Sequence, residues 1–297
     1  MVHRTPVLTS NSLDARLGCR VFFKCENLQK VGAFKARGAL NAVRALSDAD
    51  AGRGVITHSS GNHGAAVAWA ARQRGIPCVV VMPRTAPRVK IDAVKGYGAE
   101  IALCEVKERD ATSARLARER DLHMIHPFED PWVIAGQGTA ALELLEDVRA
   151  LDAIVAPVGG GGLLSGTAIA SAAASPRTKV IGAEPAAVDD AARSLRSGAH
   201  QPRVEDPKTA CDGLLTRLGA PNFAILREHG VEVLTASEGA ILAAARFFLE
   251  RMKIVVEPSG AVPLAAIEEH RSRFTGTRVG VILSGGNTDF SWLVREP

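Results

Sequence analysis

Ala153-Ile154-Val155-Ala156-Pro157-Val158-Gly159-Gly160-Gly161-Gly162-Leu163-Leu164-Ser165-Gly166 decides how this chain is read. It opens the longest run without a charged residue, 24 residues from Ala153 to Pro176, which by length could cross a bilayer. Pro157 and the four consecutive glycines argue against a continuous helix. They predict a buried strand over 153–158, a turn over 159–162 and a helix over 163–174. Four glycines before a helix expose backbone N–H groups at the positive end of its dipole, which makes an anion cradle. A plain tight turn would not need their entropy cost.

The same rhythm runs outward in both directions. Upstream, strands are expected at 21–25, 54–58, 78–82, 100–104 and 123–126, with helices from 65 to 74, about 87 to 95, 108 to 120 and 134 to 148. Downstream come strands 179–183, 231–234 and 279–283 and helices 237–251 and 258–270, while 193–219 reads as a loop-rich excursion. Strands alternating with helices imply parallel sheets, because parallel strands need crossover connections. At 297 residues two domains are expected: a larger one from 1–53 and 130–297, and a smaller one, 54–129, inserted into it. Turns at 59–64, 159–162 and 284–287 follow strand ends, where open α/β sheets bind ligands.

Composition narrows the function. Apolar content of 46% with 23% charged residues is that of a globular chain. A net charge of 36 − 32 = +4, with three Trp and one Tyr, gives little for base stacking, so no nucleic-acid partner is expected. Five cysteines without a CxxC pair read as reduced thiols. With no visible secretory leader, a cytoplasmic protein without a membrane partner is expected.

The glycine cradle calls for a phosphate. Glu184 ends the next strand about where an acid would hold a ribose, but the third glycine of a dinucleotide motif is missing, since counting from Gly159 or Gly160 lands on Leu164 or Ser165. No Gly-Lys-Ser/Thr follows, so a mononucleotide loop also fails. A phosphorylated cofactor without a ribose remains, and pyridoxal phosphate is the one that calls for a lysine. Lys35, in Val31-Gly32-Ala33-Phe34-Lys35-Ala36-Arg37-Gly38-Ala39-Leu40-Asn41, follows a glycine turn and opens a helix. It is either an ordinary solvated ammonium or a desolvated amine whose pKa is lowered further by cations such as Arg37.

The residues then form a recognisable set. Lys24-Cys25-Glu26-Asn27-Leu28-Gln29 with Gly32 to Ala39, Ser59-Ser60-Gly61-Asn62-His63-Gly64, Ile134-Ala135-Gly136-Gln137-Gly138-Thr139, Gly159 to Gly162, Glu257-Pro258 and Ser284-Gly285-Gly286-Asn287 resemble, in order, the motifs of serine/threonine dehydratases and serine racemases. These are fold type II (tryptophan synthase β-like) pyridoxal-phosphate enzymes, and the resemblance runs from about Thr5 to Phe290. It implies two parallel-sheet domains with pyridoxal 5′-phosphate between them. Lys35 would carry the cofactor and take the substrate Cα proton, with Phe34 behind the ring. Asn62 would face the 3′ oxygen, Gly159, Gly160, Gly161 and Gly162 the phosphate, and Ser284 the ring nitrogen. Ser59, Ser60, Asn62 and His63 would hold the substrate, Ser60 matching the acid/base of racemases on the face opposite the lysine. Each serine can also be read as a helix cap and His63 as a packing residue. Glu184, the main chain of Val188, and Asp190 match a Mg²⁺ or Ca²⁺ site, although Asp189 and Asp190 also suit a helix's first turn.

Two departures bear on regulation. Ala65 stands where nucleotide-activated racemases carry Gln, and the chain begins close to Thr5-Pro6, so ATP activation is not expected. Nor is a regulatory domain expected after Phe290. The activity implied is β-elimination of L-serine or L-threonine to a 2-oxo acid and ammonia, by a homodimer acting on small amino acids. The alternatives are a serine racemase, with or without dehydratase activity, and a related hydroxy-amino-acid dehydratase. Cysteine synthase-like replacement is disfavoured, because His63 stands where those enzymes typically carry Thr.

Overall fold

A computed structural model describes residues 1–59, 61–86 and 88–294. Its strands are β1 (Val7–Leu8), β2 (Arg20–Cys25), β3 (Val55–His58), β4 (Cys78–Pro83), β5 (Glu100–Cys104), β6 (His123–Met124), β7 (Ala153–Pro157), β8 (Lys179–Pro185), β9 (Glu232–Ala236) and β10 (Arg278–Leu283). They form a six-stranded sheet, β1-β2-β10-β7-β8-β9, and a four-stranded sheet, β5-β4-β3-β6. Every pairing is parallel except β1 with β2. Strands such as β4 and β7 are buried along their whole length, as expected of parallel strands covered on both faces.

All strands of the smaller sheet lie between Val55 and Met124. Its core nevertheless draws in Ala36, Ala39, Leu40 and Val43 from helix Lys35–Ala45, outside the expected 54–129 stretch. That helix lies between the two sheets' cores, packing also on helix Pro131–Asp147. The close approach depends on glycine: a Cβ on Gly136 would stand 2.6 Å from the Gly38 Cα. The 134–139 motif is thus part of the packing behind Lys35.

Some expectations hold and others shift. The uncharged run is a strand, a loop and helix Gly162–Ala174, and no helix among the described residues is long and apolar enough to cross a membrane. The expected strand 123–126 keeps only two residues of ladder. Helices Asn11–Leu17, Asp48–Arg53 and Ala220–Glu228 were not expected, and helix Asp190–Ser197 intrudes on the loop-rich segment. All five cysteines are buried free thiols.

Candidate active site

Lys35 is fixed from two sides. Before it, the backbone turns through left-handed Val31 (φ 56°) and Gly32 (φ 69°), and a Cβ on Gly32 would stand 2.6 Å from the Asn287 side chain. The Phe34 N–H then donates to the Ser284 carbonyl (2.9 Å), and Gly286 N–H to the Gly32 carbonyl (3.0 Å). The lysine turn is thereby joined to the loop after β10. Lys35 Nζ donates to the Pro127 carbonyl (2.8 Å) and stands 5.1 Å from the Phe34 ring centre. Desolvation in the cleft lowers its pKa to about 8.

Arg37 does not take part in that shift. Its guanidinium bonds both oxygens of Glu26 (2.7 and 2.8 Å) and reaches Glu143, which also pairs with the fully buried Lys24 (2.7 Å). The expectation that Arg37 lowers the Lys35 pKa is corrected: its charge is neutralised by two carboxylates on the far side of the helix, and desolvation alone acts on Lys35.

The glycine loop forms one wall of the cleft, with Phe34, Lys35, Ser59, Asn62, His63 and Ser284 among its other lining residues. A Cβ on Gly160 would stand 2.3 Å from the Phe128 ring, and Gly161 is left-handed at φ 95°. The Gly160 carbonyl accepts from Gly219 N–H (3.0 Å) and from Asn222 Nδ2 (2.8 Å). Gly161 caps the helix that starts at Gly162, so the loop runs into a first turn whose N–H groups have no acceptor within the helix.

Asn62 opens helix Asn62–Arg74. Its Nδ2 donates to Glu257 Oε1 (2.9 Å), and its Oδ1 accepts from Asn287 Nδ2 (2.9 Å). Glu257 is buried, its Oε2 has no partner, and burial raises its pKa to about 8. Ser59 Oγ accepts from Gly61 N–H (3.1 Å), while the helix cap itself is Gly61, without a side-chain bond. Ser60 lies outside the described residues. His63 is buried, with Nε2 3.4 Å from the Ile125 carbonyl and Nδ1 unpaired. Burial first, and then the Lys35 charge, holds it neutral by lowering its pKa well below the usual range.

Sequence reasoning did not single out His58, Lys90, Phe128 or Asp212, all of which line the cleft. Glu257, which also lines it, was named in a motif but given no role. Lys90 and Asp212 lie on surface-type segments far apart in the chain, and no local pattern marks them.

Glu184 and Asp190 form a separate pair. Glu184 accepts from the Ala192 (2.6 Å) and Ala191 (3.3 Å) amides, and Asp190 Oδ2 accepts from Leu218 N–H (2.9 Å). Burial, and secondarily the Asp190 charge, raises the Glu184 pKa to about 9, and burial also raises that of Asp190. Val188 ends the short 3₁₀ turn between them. Among the described residues no cluster of three or more His, Cys, Asp or Glu side chains gathers around a metal position.

A desolvated lysine between two small-residue loops, on a pair of parallel sheets, defines a lysine-dependent cofactor enzyme of the α/β class. The family model "Pyridoxal-phosphate dependent enzyme" matches residues 1–285, and the chain belongs to that family, with the type II fold. It is 49% identical over 294 residues to the beta-hydroxyaspartate dehydratase of Paracoccus denitrificans, covering 98% of this chain and 93% of that one. Identity to the serine racemase of Dictyostelium discoideum is 47% over 295 residues, 98% and 91% of the two chains. The solved structure of maize serine racemase superposes with a TM-score of 0.95 at 43% identity, covering 98% of this chain and 91% of that one. A threonine deaminase crystal structure, from T.th., superposes with a TM-score of 0.92 at 48% identity, covering 98% and 94% of the two chains.

The residues present fit pyridoxal phosphate: a cleft-facing amine with a lowered pKa, a glycine cradle that a Cβ would fill, and polar side chains between them. The acidic pair fits a hard cation less fully. Two buried carboxylates that repel each other suit one, but both Glu184 oxygens already accept amide hydrogen bonds.

Proposed function

We propose that this chain is an ammonia-lyase that removes the β-hydroxyl of a β-hydroxy α-amino acid, giving a 2-oxo acid and ammonia. L-Serine and L-threonine are the simplest members of that class, and 3-hydroxyaspartate is the one named by the Paracoccus relative. The observation that carries the reading is Lys35, an amine brought to about pKa 8 at the cleft wall and held by the Pro127 carbonyl. An amine so poised accepts and returns a proton near neutral pH.

When bound, pyridoxal phosphate withdraws electrons from the substrate Cα. The chain's residues do the rest. Gly159 to Gly162 would hold the phosphate, Phe34 would back the ring, and Asn62, kept in place by Glu257 and Asn287, would meet the ring's oxygen. Ser284, which lines the cleft, would offer the ring nitrogen a neutral hydroxyl, where a carboxylate would store the negative charge longer. Ser59, Ser60 and His63 hold the substrate carboxylate, which orients the Cα–H bond toward Lys35. Lys35 takes that proton, the C–H electron pair forms the Cα–Cβ double bond, and the C–O bond breaks as the β-hydroxyl takes the proton back from Lys35 and leaves as water. The released enamine tautomerises to an imine, which water hydrolyses to the 2-oxo acid and ammonia.

Racemisation is the second reading, favoured by the 47% identity to a serine racemase. It needs Ser60 as proton donor on the opposite face. Mg²⁺ or Ca²⁺ at Glu184, Val188 and Asp190, and a homodimeric assembly, belong to the same proposal. Incubating the cofactor-loaded protein with L-serine, L-threonine and 3-hydroxyaspartate, and assaying 2-oxo acid, ammonia and inverted amino acid, tests it. Absence of 2-oxo acid from all three would refute the lyase reading.

A further inference from the structure

Lys90 and Asp212 meet across the mouth of the cleft. Lys90 stands on helix Arg88–Gly96, beside the smaller sheet, and Asp212 on the turn Asp212–Leu214 of the larger one. They form an ion pair, Nζ to Oδ2, in which the lysine side chain is only 13% exposed and the aspartate 50%. Lys90 Nζ also lies 3.5 Å from where a Cβ on Gly61 would sit, which puts its charge against the loop that holds the substrate. Arg109 lines the same cleft, and its acidic partner Asp110 is 75% exposed.

A shielded cation whose partner is open to water can change partners. With a neutral β-hydroxy amino acid in the cleft, Lys90 keeps Asp212. A substrate with a second carboxylate brings an extra charge into a partly desolvated space, and burying that charge is unfavourable unless a cation meets it. Asp212, half in water, loses little when released.

We infer that Lys90 is a specificity-determining residue: it leaves Asp212 to pair with a carboxylate on the substrate Cβ, so that the cleft favours β-hydroxy dicarboxylic amino acids over neutral ones. This rests on the lyase reading above and names the substrate class within it.

The test compares Lys90→Met, Lys90→Arg and Asp212→Asn with the wild-type holoenzyme. The quantity read is kcat/KM for 3-hydroxyaspartate divided by that for L-serine. Calorimetric binding of succinate, an unreactive dicarboxylate with aspartate's carboxylate spacing, is measured in parallel. Lys90→Met is expected to lower the ratio about 100-fold, mainly through KM for 3-hydroxyaspartate, and to abolish succinate binding. Lys90→Arg should restore most of the ratio, and Asp212→Asn should tighten succinate binding by freeing Lys90. A ratio within about threefold of wild type in Lys90→Met, because both substrates fall together or neither falls, would overturn the inference. So would an Asp212→Asn variant that loses succinate as Lys90→Met does. The two readings fail separately. Lys90-dependent succinate binding without turnover of any hydroxy amino acid sinks the lyase reading and leaves the carboxylate site standing. Good L-serine turnover with Lys90-independent succinate binding does the reverse.

Discussion

Lys35 shows what a single residue's surroundings accomplish. Its position at a helix start was legible in the sequence, because a glycine turn and an apolar-periodic run bracket it. The cause of its lowered pKa was not, since whether Arg37 faces the amine or turns away depends on Glu26 and Glu143, distant in sequence. Lys35→Ala should lose the visible absorbance of the lysine–cofactor bond and lower turnover by about 1,000-fold or more, with an unchanged far-ultraviolet spectrum. Retention of both colour and activity would place the cofactor on another lysine. Glu257 gives a second test. Its pKa rises from 4.5 to about 8 on folding, so between those values the native state keeps a proton that the unfolded chain has released. Its contribution therefore falls as pH rises through that window. Between pH 5 and 8 the cofactor-free protein should lose several more degrees of Tm than Glu257→Gln, which keeps the acceptor for Asn62; equal losses would show that Glu257 ionises normally.

Among the elements, the glycine loop was legible as strand, turn and helix, because four glycines after an apolar run leave few alternatives. The short helices Asn11–Leu17 and Ala220–Glu228 were not legible, since seven to nine residues carry too few turns for periodicity to stand out. A Cβ on Gly160 would collide with Phe128, so Gly160→Ala must shift either the loop or the ring. We expect cofactor affinity, measured by absorbance titration, to fall at least about tenfold while the cofactor-free fold survives. Unchanged affinity would mean that the amides of this loop do not hold the phosphate. The start of helix Asp190–Ser197 carries the proposed cation. Mg²⁺ at a hundredfold excess over its dissociation constant should stabilise the protein by about 2.7 kcal/mol, an effect that Glu184→Ala removes. A Tm indifferent to both EDTA and Mg²⁺ would leave Glu184 as the acceptor for the Ala191 and Ala192 amides and nothing more.

At the scale of the whole molecule, function arises where two sheets bring together segments remote in sequence. Lys35, Asn62, the 159–162 loop, Glu257 and Ser284 meet in one cleft, and the motif order anticipated that gathering. The contacts across it were not legible, because Asn62 with Glu257, and Lys90 with Asp212, are pairs that no local pattern encodes. The cleft's chemistry also ranks the two outcomes open to a substrate that has lost its Cα proton. Reprotonation by Ser60 would be reversible, with an equilibrium constant of one for serine, whereas loss of the β-hydroxyl ends in hydrolysis with little return. Ser60→Ala should accordingly remove inversion while sparing much of the elimination from the L-isomer, for which Ser59 and His63 still hold the carboxylate; equal losses of both would show that Ser60 binds the carboxylate and donates no proton. The central claim is tested most directly by following cofactor-loaded protein with L-serine, and in parallel with 3-hydroxyaspartate, over a long time course by chiral chromatography with 2-oxo acid and ammonia assayed together. We predict equimolar 2-oxo acid and ammonia that go on accumulating, with any D-isomer transient; a stable racemic mixture with negligible 2-oxo acid would contradict the claim and make the protein a dedicated racemase.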